Sequence, residues 1–212
     1  MNAETELRAE ICLWGRSLFE RGYTAGSSGN LSARLPDGFL VTPTNSCLGF
    51  LEPERLAKLD FDGRHLSGDA PTKEVPLHMA FYEARPQAGG IVHLHSTYAT
   101  ALSCLEGLDP ADTVPAITPY VVMRVDKVPL IAYTRPGSTA VKPLVAALAP
   151  QHAAVLLANH GPVVSAKTFR DAVFAAEELE ETAKLAILTR NLPVRLLSRE
   201  IIAELDATFT LR

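Results

Sequence analysis

The 212-residue sequence predicts an α/β fold in which helices pack on the faces of a mostly antiparallel sheet. Three observations carry that expectation. Two early segments alternate apolar and polar residues about a Pro-Asp-Gly and an Asp-Gly turn, as hairpins do. Apolar runs of strand length are then interleaved with segments whose apolar residues recur every three or four positions. Neither G-x-G-x-x-G after a strand nor G-x-x-x-x-G-K-[ST] occurs, which disfavours the parallel dinucleotide and phosphate-loop folds.

The elements follow in order. Residues 3–22 set Leu7, Ile11, Trp14 and Leu18 at helical spacing, and Gly22 can end that helix in the left-handed conformation. "NLSARLPDGFLVTPT" reads as a hairpin about Pro36-Asp37-Gly38, and "AKLDFDGRHLSG" as a second about Asp62-Gly63. Helical spacing returns in "KEVPLHMAFYEAR", where Pro76 is tolerated only in a first turn, so Lys73 and Glu74 stand at or just before the N-terminus. "GIVHLHS" is a strand and "TYATALSCL" a helix. After the proline-rich "DPADTVPAITPY" come a strand in "VPLIAY", a helix in "STAVKPLVAALA" and a strand pair in "AAVLLANHGPVV" about Gly161-Pro162. A long helix rich in Ala and Glu covers 167–190, and a short one covers 198–207. No repeat, low-complexity tract or linker intervenes, so one domain over residues 1–212 is expected.

Bulk properties narrow the function. With 47% hydrophobic and 21% charged residues the chain can bury a sizeable core, and its formal net charge of -4 comes with scattered Lys and Arg, which argues against a nucleic-acid partner. Cys12, Cys47 and Cys104 are odd in number, widely spaced and without a C-x-x-C pair, so they read as reduced thiols of a cytoplasmic protein. "MNAETELRAE" lacks a basic head and apolar core, and no apolar run nears the roughly 20 residues that span a bilayer. A soluble, unprocessed protein with no membrane partner is expected.

The local signal richest in chemistry is "GGIVHLHSTYATALS". Strand periodicity puts His93 and His95 on one face, and His160 ends another apolar strand, "AAVLLANHG". Three neutral imidazoles with an open position make a catalytic divalent site, commonly zinc. The same residues also fit as core histidines bonded to backbone, and spacing does not choose between the two. His65 and His152 read as solvent-facing, and His78 as structural. Glu74, at the start of a helix, either steadies the helix dipole or, beside a metal, moves a proton. "GSSGNLS", "VTPTNS" and "APTKE" are small, hydroxyl-bearing loops, the last with a cation, that together suit a phosphorylated ligand. No Cys-His-Asn context and no G-x-S-x-G elbow supports nucleophilic hydrolysis. Glu177, Glu178, Glu180 and Glu181 read as the solvated side of the long helix, with a Glu181–Lys184 pair.

Taken together and in order, "GSSGNLSAR", "FLVTPT", the Glu-initiated helix after Thr72-Lys73, "IVHLH" and "LLANHG" resemble the class II aldolase/adducin family, zinc-dependent sugar-phosphate enzymes that include fuculose-phosphate aldolases and ribulose-phosphate 4-epimerases. The resemblance spans nearly the whole chain. "GDAPTKEVPLH", "VHLHST", "TPYVVMRV" and "LLANHGPVV" are most similar to the branch that decarboxylates 3-oxo-tetronate 4-phosphates. It implies a three-layer α/β/α fold with a central, mostly antiparallel sheet, and a homotetramer with its sites between subunits. Zinc would sit on His93, His95 and His160, with Glu74 as the acid/base carboxylate that can also ligate the ion. The family's phosphate-binding positions fall on Gly29, Asn30, Thr44, Asn45, Thr72 and Lys73. Asn45 in place of glycine and Lys73 in place of serine depart from the aldolase pattern and suit a more anionic, sugar-acid substrate. A tyrosine that donates a proton across a subunit boundary falls on Tyr120, and the aldolases' C-terminal tyrosine has no counterpart in "ATFTLR". The implied reaction is decarboxylation to dihydroxyacetone phosphate. A sugar-phosphate aldolase or epimerase, and a non-catalytic adducin-like binding module, stay open beside it.

Overall fold

The two alternating segments form the expected hairpins in the computed structural model, which describes residues 3–209. Residues 1–2 and 210–212 of the expected domain, and with them the end of "ATFTLR", lie outside the described residues. In chain order the elements are α1 (Ala3–Glu20), β1 (Asn30–Leu35), β2 (Gly38–Val41), β3 (Ala57–Leu59), β4 (His65–Ser67), α2 (Val75–Ala84), β5 (Gly90–His93) and α3 (Thr97–Ser103). They continue as α4 (Pro119–Arg124), β6 (Leu130–Ile131), α5 (Val141–Leu148), β7 (Ala154–Leu157), β8 (Gly161–Ala166), α6 (Phe169–Thr189) and α7 (Arg199–Thr208). One sheet of order β4-β3-β2-β1-β5-β8-β7-β6 takes in every strand. All neighbours are antiparallel except β6 and β7.

Strand periodicity sorts the core into two layers. Leu31, Ala33 and Leu35 of β1, Leu40 of β2, Val92 of β5, Leu156 of β7 and Val164 of β8 pack in one cluster with residues of α1, α3, α4 and α6. Phe39, Val41, Ile91, Val155 and Val163 face the other way and pack with Leu77 and Phe81 of α2 and Val145 of α5. The fold is therefore three-layered, α/β/α, as the family resemblance implied. Each fully buried aliphatic or aromatic side chain contributes about 1.5–3 kcal/mol, so polar groups left inside either layer cost stability unless they find partners. Among the described residues no helix is long and apolar enough to cross a membrane.

Four local expectations change. β5 stops at His93 instead of running through "HLHS", because β1 begins opposite it at Asn30 and β8 next offers Pro162, which has no N–H to donate. The turn between β7 and β8 is Ala158–His160, with Asn159 at φ +56°, and Gly161-Pro162 opens the return strand. The proline-rich stretch contains a helix, α4, started by Thr118 and Pro119 in the position where a missing N–H costs nothing. Glu180 is not solvated: it is 6% exposed and accepts the backbone N–H groups of Tyr98 and Ala99, both at 2.8 Å. Ser96, at the N-cap of α3, makes no capping bond of its own, so Glu180 from α6 serves the free donors of that helix. Glu178 is half-buried as well, accepting from the Thr118 and Thr182 hydroxyls with burial raising its pKa, whereas Glu181 is exposed and paired to Lys184 at 3.8 Å and Glu177 is bonded to Arg21.

Replacing Glu180 with Ala leaves the partly buried Tyr98 N–H and the buried Ala99 N–H without an acceptor at the helix that directly follows His95. The expected loss is about 2–3 kcal/mol in denaturant unfolding. A loss below about 0.5 kcal/mol, the size of an ordinary surface substitution, would return Glu180 to the solvated face.

Candidate metal centre

Two glycines shape the end of β5. Gly29, at φ +79°, passes so close that a Cβ there would lie 2.9 Å from the His93 carbonyl, and a Cβ on Gly161, at φ +145°, would strike the Leu94 carbonyl. His93 thus ends its strand wedged between β1 and β8, on the α2 side of the sheet and 0% exposed. Its Nδ1 donates to the Pro162 carbonyl at 2.9 Å, which leaves Nε2 as a bare acceptor pointing away from the sheet. His95 follows in extended chain before α3. His160 closes the β7–β8 turn, its carbonyl held by Thr100 Oγ1 at 3.4 Å.

The three Nε2 atoms converge. His93 lies 3.2 Å from His95 and 3.3 Å from His160. Glu74, the N-cap residue of α2, makes no capping bond to its own helix and turns its carboxylate to the same point, with Oε2 3.0 Å from His93 Nε2 and Oε1 3.8 Å from His160 Nε2. All four ligand atoms lie within 4.8 Å of one another. Ligands about 2.0–2.1 Å from a tetrahedral zinc are separated by about 3.3 Å, close to the His93 pairings, while the wider Glu74–His160 pair would close by small side-chain movements. Core histidines would each look outward to a backbone partner, whereas these turn their lone pairs inward together. Such an arrangement can hold a metal and carry Lewis-acid chemistry on a bound oxygen ligand.

Electrostatics favour the ligating forms. Burial, then the neighbouring imidazoles, pushes His95 and His160 down to about 4, so both are neutral at pH 7. Burial works to raise the Glu74 pKa, but in the metal-free protein a second proton on His93, at Nε2, would donate to the carboxylate and charge the ring, and with the Asn30 amide this holds Glu74 well below the usual carboxylate range.

The expected anion-binding positions divide. Loops 42–45 and 70–72 are laced by backbone bonds from Thr44 to Ala70 and from Thr72 to Thr42, so Thr44, Asn45, Thr72 and Lys73 come to neighbouring stretches of chain. Thr44 and Asn45 line a cleft of about 410 Å³ with Ser46 and Arg55, and Lys73 is exposed. Asn30 is different: it is buried, and its amide is already used, donating to Glu74 Oε2 at 3.0 Å and facing His78 Nε2 at 2.5 Å. Tyr120 stands on α4, which packs mainly on α6 and α7. Its ring is 58% exposed, and among the described residues it makes no hydrogen bond to the cluster.

Sequence reasoning did not anticipate two groups. Thr134, Arg135 and Ser138 border a narrow cleft with Glu74 and His160. A polar seam also runs under α2: Glu74, His78 and Tyr82 recur every four residues on the helix, and Asn30, Ser32 and Arg34 every two on β1. The helical step of about 6.0 Å nearly matches the strand step of about 6.6 Å, and helical side chains lean toward the N-terminus, so His78 reaches back to Asn30 and Tyr82 to Ser32. Both periodicities are visible in "EVPLHMAFY" and "NLSAR"; what sequence lacks is the docking of one on the other.

Comparison with known proteins bears on this geometry. A family profile described as "Class II Aldolase and Adducin N-terminal domain" matches residues 9–187. The chain is 52% identical to the 3-oxo-tetronate 4-phosphate decarboxylase of Pectobacterium atrosepticum, over 97% of this chain and 95% of that one. The crystal structure of YgbL from Escherichia coli is similar at a TM-score of 0.94 and 50% identity, covering 96% of this chain and 99% of that one. An L-fuculose 1-phosphate aldolase structure is similar at a TM-score of 0.87 and 26% identity, covering 98% and 97%.

The metal-free protein should lose stability as pH falls from about 6.5 toward 4. His95 and His160 at about 4, and His78 at about 3, all sit below the ordinary 6.5, so the unfolded chain binds more protons across that window. Urea midpoints measured at pH 7 and pH 4.5 should differ in that direction. Equal midpoints would mean that the histidines are not held neutral.

Proposed function

The chain belongs to the class II aldolase and adducin family, and from that premise we propose that it decarboxylates a 3-oxo-tetronate 4-phosphate to dihydroxyacetone phosphate and carbon dioxide. One observation carries the chemistry: three imidazole lone pairs and a carboxylate meet at one point with the spacing of a metal site. The substrate is supported by the 52% identical decarboxylase from Pectobacterium atrosepticum.

His93, His95 and His160 would hold the ion, zinc in this proposal, and Glu74 lies within reach of the same point. When bound, the ion supplies Lewis-acid stabilisation of the enediolate left as carbon dioxide departs. The bond from the carboxyl carbon to C2 breaks, its electrons pass toward the C3 ketone, and C2 then needs one proton. Glu74 is ionised at neutral pH, so it serves as a relay that takes a proton from solvent and hands it on. The Tyr120 phenol is the other donor. Because that ring is exposed on α4, away from the cluster in its own chain, we assign it to a neighbouring subunit's site in a homotetramer. Gly29, Thr44, Asn45, Thr72 and Lys73 would meet the anionic groups, and Asn30 shapes the same loop from beneath. A cytoplasmic role in sugar-acid breakdown accords with three unpaired thiols.

The purified protein given a 3-oxo-tetronate 4-phosphate should release carbon dioxide and stop when a chelator is added, and His95→Ala should lose both bound metal and turnover. Aldehyde release from a fuculose-type phosphate, without carbon dioxide from the oxo acid, would instead make the chain an aldolase. Lys73→Met should raise KM by about 10–100-fold, the worth of a charge-assisted hydrogen bond of about 1.5–3 kcal/mol, with kcat little changed. An unchanged KM would remove Lys73 from the substrate site.

A further inference from the structure

The seam beneath α2 is buried along its whole length and ends on the one carboxylate of the site. Asn30 Nδ2 lies 3.0 Å from Glu74 Oε2, Asn30 Oδ1 2.5 Å from His78 Nε2, His78 Nδ1 2.7 Å from Ser32 Oγ, and Ser32 Oγ 3.0 Å from the Tyr82 hydroxyl. Each donor can be assigned by elimination. An ionised carboxylate only accepts, so the amide nitrogen of Asn30 faces Glu74 and its oxygen faces His78. That oxygen also only accepts, so Nε2 of His78 carries the ring proton. Burial pushes His78 down to about 3, which leaves the imidazole neutral and its Nδ1 bare. Ser32 must donate to Nδ1 and therefore accepts from Tyr82, whose phenol burial keeps protonated. Tyr82 itself is stacked on Phe39 at 4.3 Å and covered by the Arg34 guanidinium at 4.8 Å. Four donors in series thus point the same way, toward Glu74 Oε2, and each polarises the next.

We propose that His78, acting through Asn30, is a positioning residue: it fixes the Glu74 carboxylate so that Oε2 is tethered to the seam and Oε1 stays available on the His160 side. The Asn30 side chain is then an arm of this tether. The inference rests on the metal site and reaction proposed above.

The experiment compares His78→Asn with His78→Gln. The Asn amide can still meet Ser32 but is too short to reach Asn30, whereas the Gln amide replaces the Nε2–H donor. In His78→Asn, zinc affinity measured by chelator competition without substrate should fall by about 10–100-fold, the usual cost of losing a partner that orients a ligand, and kcat should fall with it. KM should stay put. His78→Gln should restore both quantities while the two variants unfold at similar denaturant concentrations. Equal losses in both variants would reduce His78 to packing, and no loss in either would dissolve the tether. A rise in KM alone would return Asn30 to the phosphate. Wild-type carbon dioxide release tests the reaction separately, and the zinc measurement needs no substrate, so the failure of one is distinguishable from the failure of the other.

Discussion

The contact between Glu74 and His93 is the joint on which the rest of the structure depends. It links the first residue before α2 to the last residue of β5, and so ties a helix layer to the middle of the sheet. A carboxylate at 8% exposure beside a fully buried imidazole would be costly if either stood alone. The surroundings answer that cost on both sides. Pro162 takes the inner nitrogen of His93, Asn30 takes one oxygen of Glu74, and the glycines at 29 and 161 let the flanking chains close around both.

Much of this was legible in the residues. Alternation about two short turns yielded both hairpins, and period two placed His93 on the face that carries Ile91, while Pro76 located the start of α2 beside Glu74. What escaped local reading depends on partners distant in sequence. β5 is cut short by what lies opposite it, a neighbour's first residue and a neighbour's proline. Glu180 resembles its solvated neighbours in composition, and only the packing of α6 on α3 turns it inward. His78 looked structural on its helix, and its contact with Asn30, 48 residues away, lies beyond what local sequence shows. Periodicity tells which side a residue faces; it is silent on what waits there.

The site also separates two tasks in space. The candidate metal-binding point is built from strand ends and a helix start, with Glu74 and His93 buried in the packing between them. The candidate anion loops lie on laced but more open segments, where Lys73 is exposed and Asn45 takes a left-handed conformation at φ +55°. Rigid chemistry beside variable recognition is the arrangement in which loop changes redirect substrate choice without disturbing catalysis.

The lean of helical side chains toward the N-terminus gives the seam a polarity that composition alone would not. Every rung on α2 reaches backward, so donors stacked along the helix hand their orientation upstream, and a carboxylate receives it only at the helix's beginning. The same Glu, His and Tyr written in reverse order, with the acid last, would lean away from it and leave Asn30 without a neighbour to hold its amide. Chirality of the backbone, through that lean, therefore restricts where in such a helix an acid of this kind can stand.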